Sequence, residues 1–161
     1  MMATLLSSTS MRNLGLVTVL VLLCGLVRIA GAIPIGAVTI RNASNSSDGS
    51  VDADGTVRSA SNSSRGKIEK DGTVRNASNA SVGKVEDDGT VRDDSNRTIG
   101  KIEKDGSVRN DSGLTIGKIE KDGVIRARSN RAIGKIEGYS SELRFEVAAL
   151  LFFFAAAGGL Q

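Results

Sequence analysis

From Gly49 to Gly138, large apolar side chains stand in short sets on either side of an Asp–Gly step, with charged residues between them. The best-preserved stretch runs Ile116-Gly117-Lys118-Ile119-Glu120-Lys121-Asp122-Gly123-Val124-Ile125-Arg126. Alternation with a period of two marks half-buried strands, and Asp–Gly between two such runs marks a hairpin. The apolar positions choose the register. A two-residue Asp–Gly loop would set Ile119 opposite Arg126, whereas a three-residue loop, Lys121-Asp122-Gly123, sets Ile119 opposite Ile125 and Glu120 opposite Val124. Cross-strand partners share a face, and a slip of one residue exchanges the faces. The three-residue loop is therefore expected, a type I turn with Gly123 in the left-handed bulge position.

The link to the following strand contains Ser129-Asn130, and asparagine tolerates tight turns. A Ser129-Asn130 turn pairs Ile125 with Gly134 and brings Ile136 to their face. One face of the meander then carries Ile119, Ile125, Gly134 and Ile136; the other carries Lys118, Glu120, Arg126 and Lys135. Ile133, with Ile116, Ile99 and Val82, falls on the otherwise polar face, where it is free to make a second contact. The equivalent early positions are Asp48 and Arg65, so the first units read as weaker, as the ends of repeat arrays often are.

The whole pattern recurs every 17 residues. Gly55, Gly72, Gly89, Gly106 and Gly123 each follow an aspartate and are the candidate turn glycines. Arg41 to Arg126 and Gly49 to Gly134 keep the same step. Each unit has only two or three large apolar residues, Val or Ile apart from Leu114, too few to offset the ordering of its backbone, so neighbours must share a core. The expectation is an all-β fold of about twelve short antiparallel strands. An open sheet of that length would leave edges and an apolar face exposed; closure around the apolar C-terminal segment removes both. The alternative is a β-solenoid with one coil per unit, stacking the Val, Ile, Thr and Asn columns as ladders.

The phrase Gly100-Lys101-Ile102-Glu103-Lys104-Asp105-Gly106-Ser107-Val108-Arg109, the turn Asp93-Asp94-Ser95-Asn96 and the closing Ala- and Phe-rich segment resemble the β-flower proteins. Those are small repetitive proteins whose hairpins are arranged radially, as petals. The resemblance covers roughly Gly49 to Phe154 and implies the fold alone, since no established activity comes with it. The leading segment and the Ser-rich first units depart from the family pattern.

The flanks divide the chain into residues 1–32, a degenerate first unit or linker at 33–48, the β-repeat domain at 49–138 and an apolar C-terminal segment at 139–161. Residues 1–32 read as a signal peptide: Arg12 is followed by the apolar run Leu14 to Val27, and Ala30-Gly31-Ala32 supplies a cleavage site. An uncleaved anchor is the competing reading, although the run is short for a bilayer span. The expected location is secreted or extracellular, or else membrane-associated at the cell surface. Cys24, the one cysteine, lies inside the apolar run, so a cleaved chain has neither disulfide nor thiol. A second apolar run, Val147 to Leu160, is read as core, filling the space that the repeats enclose. It is also a candidate membrane contact or lipid-anchor signal, with Ser140 and Ser141 as small attachment residues.

All four phenylalanines, Phe145 and Phe152 to Phe154, follow the repeats. Net charge is +3, but acids and bases alternate, which does not make the one-signed stripe of a nucleic-acid binder. The chain has no histidine, which removes the usual general base, and no serine lies in a Gly-x-Ser-x-Gly elbow. No enzymatic activity, cofactor or metal is expected. Asp52-Ala53-Asp54-Gly55 and Asp87-Asp88-Gly89 suggest calcium only faintly, because no further acids follow at loop spacing. The column Thr56, Thr73, Thr90 and Ser107 suggests a surface-binding array, but charged neighbours make a plain β-surface column the better reading. Sequons stand at Asn42, Asn45, Asn62, Asn76, Asn79, Asn96 and Asn110, all in expected turns, as candidate N-glycosylation sites. Asn130 precedes Arg131-Ala132 and is not a sequon. The functional expectation is an exported, non-enzymatic repeat protein with a structural or interaction role. The alternative is a module that binds glycan or protein ligands, tethered to a membrane in one version. Partners are unread, with self-association open.

Overall fold

The computed structural model describes residues 37–154. In every strand Val, Ile or Gly takes the buried positions and polar or charged residues stand between or beside them. In chain order the strands are β1 (Val38–Asn42), β2 (Ser47–Val51), β3 (Thr56–Ser59), β4 (Ser64–Ile68), β5 (Thr73–Asn76), β6 (Ser81–Val85), β7 (Thr90–Asp93), β8 (Thr98–Ile102), β9 (Ser107–Asn110), β10 (Thr115–Ile119), β11 (Val124–Ala127) and β12 (Ala132–Glu137). Each pairs antiparallel with its sequence neighbours. Then β12 returns to β1, with Ile40 opposite Ile136 and Arg41 opposite Lys135, and the sheet closes as a barrel. This is an all-β barrel with no free edge. The solenoid alternative is overturned: its coils would stack identical positions, whereas here opposite strands of one hairpin pair. The domain reading that left 33–48 as a degenerate unit covers β1 and the first residues of β2, both full members of the barrel. The signal-peptide reading of 1–32 lies outside the described residues, as does 155–161.

The Asp–Gly loops have the expected register. Ile119 faces Ile125 and Lys118 faces Arg126. The Gly123 N–H donates to the Glu120 carbonyl at 2.9 Å and the Glu120 N–H to the Val124 carbonyl at 2.8 Å, with Gly123 at φ +86°. That is a type I turn closed by a left-handed residue.

The second link differs from the expected two-residue Ser129-Asn130 turn. The Asn130 N–H donates to the Ala127 carbonyl at 2.8 Å, and the Ala127 N–H to Arg131 at 2.9 Å. The loop is again three residues long, Arg128 to Asn130, with Asn130 at φ +65° where the other loop has glycine. By itself this would displace the register by one. A β-bulge restores it: Arg126 faces Ala132, the pairing shifts, and Ile125 faces Gly134. Ile133 is the extra residue. The same shift falls beside Ile116 in the neighbouring hairpin and recurs in the earlier ones. The expectation that Ile133, Ile116, Ile99 and Val82 sit on the polar face is thereby corrected: as bulge residues they pack, half-buried, against the core.

Inside, Val38, Ile40, Val51 and their equivalents through Ile136 are 0–2 % exposed. The chain then makes a short 3-10 turn, Ser141–Leu143, and a helix, α1 (Arg144–Phe153). Val147, Ala148, Ala149 and Leu150 are buried within the core cluster. The apolar C-terminal segment, through Phe154, is thus the filling of the barrel. Each buried Leu or Phe there contributes on the order of 2 kcal/mol.

The glycine column explains how a helix fits. Gly49, Gly66, Gly83 and Gly100 line the wall beside α1. A Cβ on Gly83 would lie 2.6 Å from the Phe153 ring, and one on Gly66 would lie 3.0 Å from Phe154. At Gly100 it would overlap Phe152. Three consecutive phenylalanines therefore fan out onto the glycines of three successive repeats. Arg65 lies over Phe154, its guanidinium 5.6 Å from the ring centre. Among the described residues no helix is long and apolar enough to cross a membrane.

Candidate functional site

The barrel has two chemically different rims. One holds the five Asp–Gly turns, where Gly55, Gly72, Gly89, Gly106 and Gly123 lie at φ +84° to +88°. The other holds the turns ending in Asn45, Asn62, Asn79, Asn96 and Asn130, at φ +61° to +65°, and Gly113, at φ +77°. Helix α1 begins near the first rim, where Arg144 Nη2 donates to the Asp87 carbonyl at 2.5 Å. It ends toward the second rim, where Phe154 meets Arg65.

On the first rim each aspartate folds back on its own turn. Oδ1 of Asp54, Asp71, Asp88 and Asp105 accepts the N–H of Thr56, Thr73, Thr90 and Ser107 at 2.9 Å. Oδ2 accepts the hydroxyl of the same residue at 3.0 Å. The Thr/Ser column is therefore the partner of the Asp column. These bonds favour the charged carboxylates and hold all four below the usual carboxylate range. Asp88 is lowest, at about 2: the Thr90 N–H acts first, then the Thr90 hydroxyl, then the Lys101 ammonium at 3.0 Å. Asp52, the other half of the calcium-like pair, bonds Arg58 Nε at 2.6 Å.

A shallow depression on this rim is lined by Asp87, Asp88, Glu103 and Asp105 and by Lys101, Lys104, Arg109 and Arg144. Four acids and four bases share it, and several are already paired, with Arg109 3.4 Å from Glu103. Among the described residues no cluster of three or more side chains is placed to hold a metal ion. Glu146 is wholly buried in the first turn of α1. Sequence reading started the apolar segment at Val147 and missed this carboxylate. No local signal marks it, because a helix is buried on all sides only where a closed wall surrounds it.

The arginine column joins the two rims. Arg75 Nε donates to Glu69 at 2.8 Å beside one turn, and Arg75 Nη1 to the Asn79 carbonyl at 3.2 Å in the other. Arg58, Arg92 and Arg126 do the same with Asp52 and Asn62, Glu86 and Asn96, and Glu120 and Asn130. Each arginine thus braces the left-handed asparagine in the turn that follows its own strand. The period of 17 showed the column but not this use, because the two partners lie on different sides of it in the chain.

All seven sequon asparagines lie on the second rim, in two positions. Asn42, Asn76 and Asn110 stand at the turn base, half-buried, with Oδ1 accepting two backbone N–H groups each, at 2.9 to 3.1 Å. Asn45, Asn62, Asn79 and Asn96 stand at the exposed apex.

No match to the chain is found among curated proteins or among solved structures. The sequence profile of a family described as "5-fold beta-flower protein" matches residues 37–155, which includes the whole barrel and α1. The barrel here is built from six hairpins, and five Asp–Gly turns join them, the sixth place on that rim being where the chain enters and leaves. With three quarters of the chain matched and its hairpins closed around the C-terminal helix, the chain belongs to the β-flower family.

Proposed function

We propose that this is an exported, non-enzymatic scaffold whose role is structural or interaction-making. One observation carries the reading: the polar groups of the repeat are spent on the fold. Aspartates cap turns, the Thr/Ser hydroxyls answer them, arginines brace the asparagine turns, and these duties recur from unit to unit. A catalytic site requires one position to depart from such regularity with a nucleophile and a base, and the chain has no histidine to serve as that base. The burial of Val147 to Leu151 supports core filling over membrane contact for the C-terminal run.

Fractionation of cells and medium, with the mass of the mature product, tests export. Full-length chain confined to the cytosol would overturn it. A binding module for glycan or protein ligands is the second reading, favoured by the charged depression around Lys101 and Arg144. Glycan and protein arrays probed with the purified barrel separate the two. Saturable binding that Lys101→Ala removes would establish the module; silence at high protein concentration leaves the scaffold.

A further inference from the structure

The seven sequons look equivalent in the sequence, but the barrel sorts them. Asn45, Asn62, Asn79 and Asn96 are exposed, lie in the left-handed conformation at the last position of a turn, and among the described residues make no side-chain hydrogen bond. The hydroxyl residue two positions on, Ser47, Ser64, Ser81 or Thr98, is the first residue of the next strand and is exposed too. A substituent on such an amide extends into solvent and disturbs no contact of the barrel. The remaining asparagines, at the turn base, use their side chains to hold the turn. Asn76 Oδ1, for example, takes the N–H groups of Ser78 and Ala80 at 3.0 and 3.1 Å.

We propose that Asn45, Asn62, Asn79 and Asn96 are N-glycan acceptors, so that one rim of the barrel carries a crown of four oligosaccharides. The inference rests on the reading of the chain as exported. The reaction is a transfer by the host's oligosaccharyl transferase. The donor is a lipid-linked oligosaccharyl pyrophosphate; its sugar C1–O bond breaks, a bond from C1 to the asparagine Nδ2 forms, Nδ2 gives up one proton, and the lipid pyrophosphate leaves. The Asp–Gly rim, which carries no sequon, stays bare. The glycans thus deepen the difference between the two rims, shielding the asparagine end and leaving the charged depression open.

The test expresses the full chain in a eukaryotic secretory host, alone and behind an added cleavable leader. Amidase deglycosylation, which leaves aspartate at each occupied position, is followed by peptide mass mapping. Expected is modification at the four apex asparagines, with Ser64→Ala removing one glycan and Ser78→Ala removing none. An unmodified product behind the added leader, or occupancy confined to Asn42, Asn76 and Asn110, overturns the proposal. If the chain is modified only behind the added leader, the acceptor sites stand and the export reading fails.

Discussion

At the scale of single residues, the molecule depends on a few positions where the backbone or the space allows one side chain. Gly100 is the clearest. A Cβ there would overlap the Phe152 ring and lie 2.7 Å from the Arg109 carbonyl oxygen. Overpacking of this kind costs about 1–3 kcal/mol, so Gly100→Ala is expected to lower the thermal midpoint, and adding Phe152→Leu to restore part of it. An unchanged melt would mean that the helix does not press on the wall at this point. The aspartate turns make a second prediction. A carboxyl held low in the fold contributes stability that is present above its unfolded pKa of about 3.9 and is lost as pH falls through the folded value. For Asp88 the folded value is about 2, so stability should decline from about pH 4 down to about 2. Asp88→Asn keeps an oxygen to accept the Thr90 N–H but cannot titrate, and chemical denaturation across that range should show a shallower decline. An identical pH profile would remove Asp88 from the acid transition.

At the scale of elements, the hairpin is a compromise between two turns of the same length. Each Asp–Gly or Asn loop has three residues, and each leaves its strands offset by one. The bulge beside Ile133, Ile116, Ile99 and Val82 cancels the offset on the Asn side only. The apolar pattern required Ile125 opposite Gly134 and could not distinguish a two-residue turn from a three-residue turn plus a bulge, because both give that pairing. The helix is the other element on which the fold depends. The wall residues are Val and Ile, too short to meet across a closed barrel, and the Phe residues of α1 complete the packing. Deleting Val147 to Gln161 is expected to abolish cooperative thermal unfolding and to expose apolar surface to a hydrophobic dye. A sharp melt from the truncated chain would refute the filling role.

At the scale of the whole molecule, closure is the one strand pairing between segments distant in the chain. Hairpins pair neighbours, whereas β1 meets β12 through partners such as Arg41 and Glu137, 96 positions apart. Bringing such distant segments together is slow, and local pairs form first. Ile40, wholly buried in β1, should therefore join late. Ile40→Ala is expected to cost roughly 2–5 kcal/mol, and most of that loss should raise the unfolding rate. Stopped-flow folding and unfolding in denaturant measure both rates; a loss carried mainly by slower folding would place closure before the barrier instead.

By itself the sequence determined what depends on neighbours: twelve strands, the Asp–Gly register, the inward Val and Ile column and the turn asparagines. Those follow from alternation and turn chemistry, which act over a few residues. Closure around the C-terminal segment was legible too, from the edges and the apolar face that an open sheet would expose. The tertiary structure alone decided the register of β12 on β1, the matching of Phe152, Phe153 and Phe154 to Gly100, Gly83 and Gly66, and the burial of Glu146. It also separated apex asparagines from base asparagines, which the sequon pattern presents as equals. Each of these is a matter of space between segments far apart in the chain. A period of 17 residues states what each unit is, and only the closed wall, with its fixed interior, states what the units leave room for.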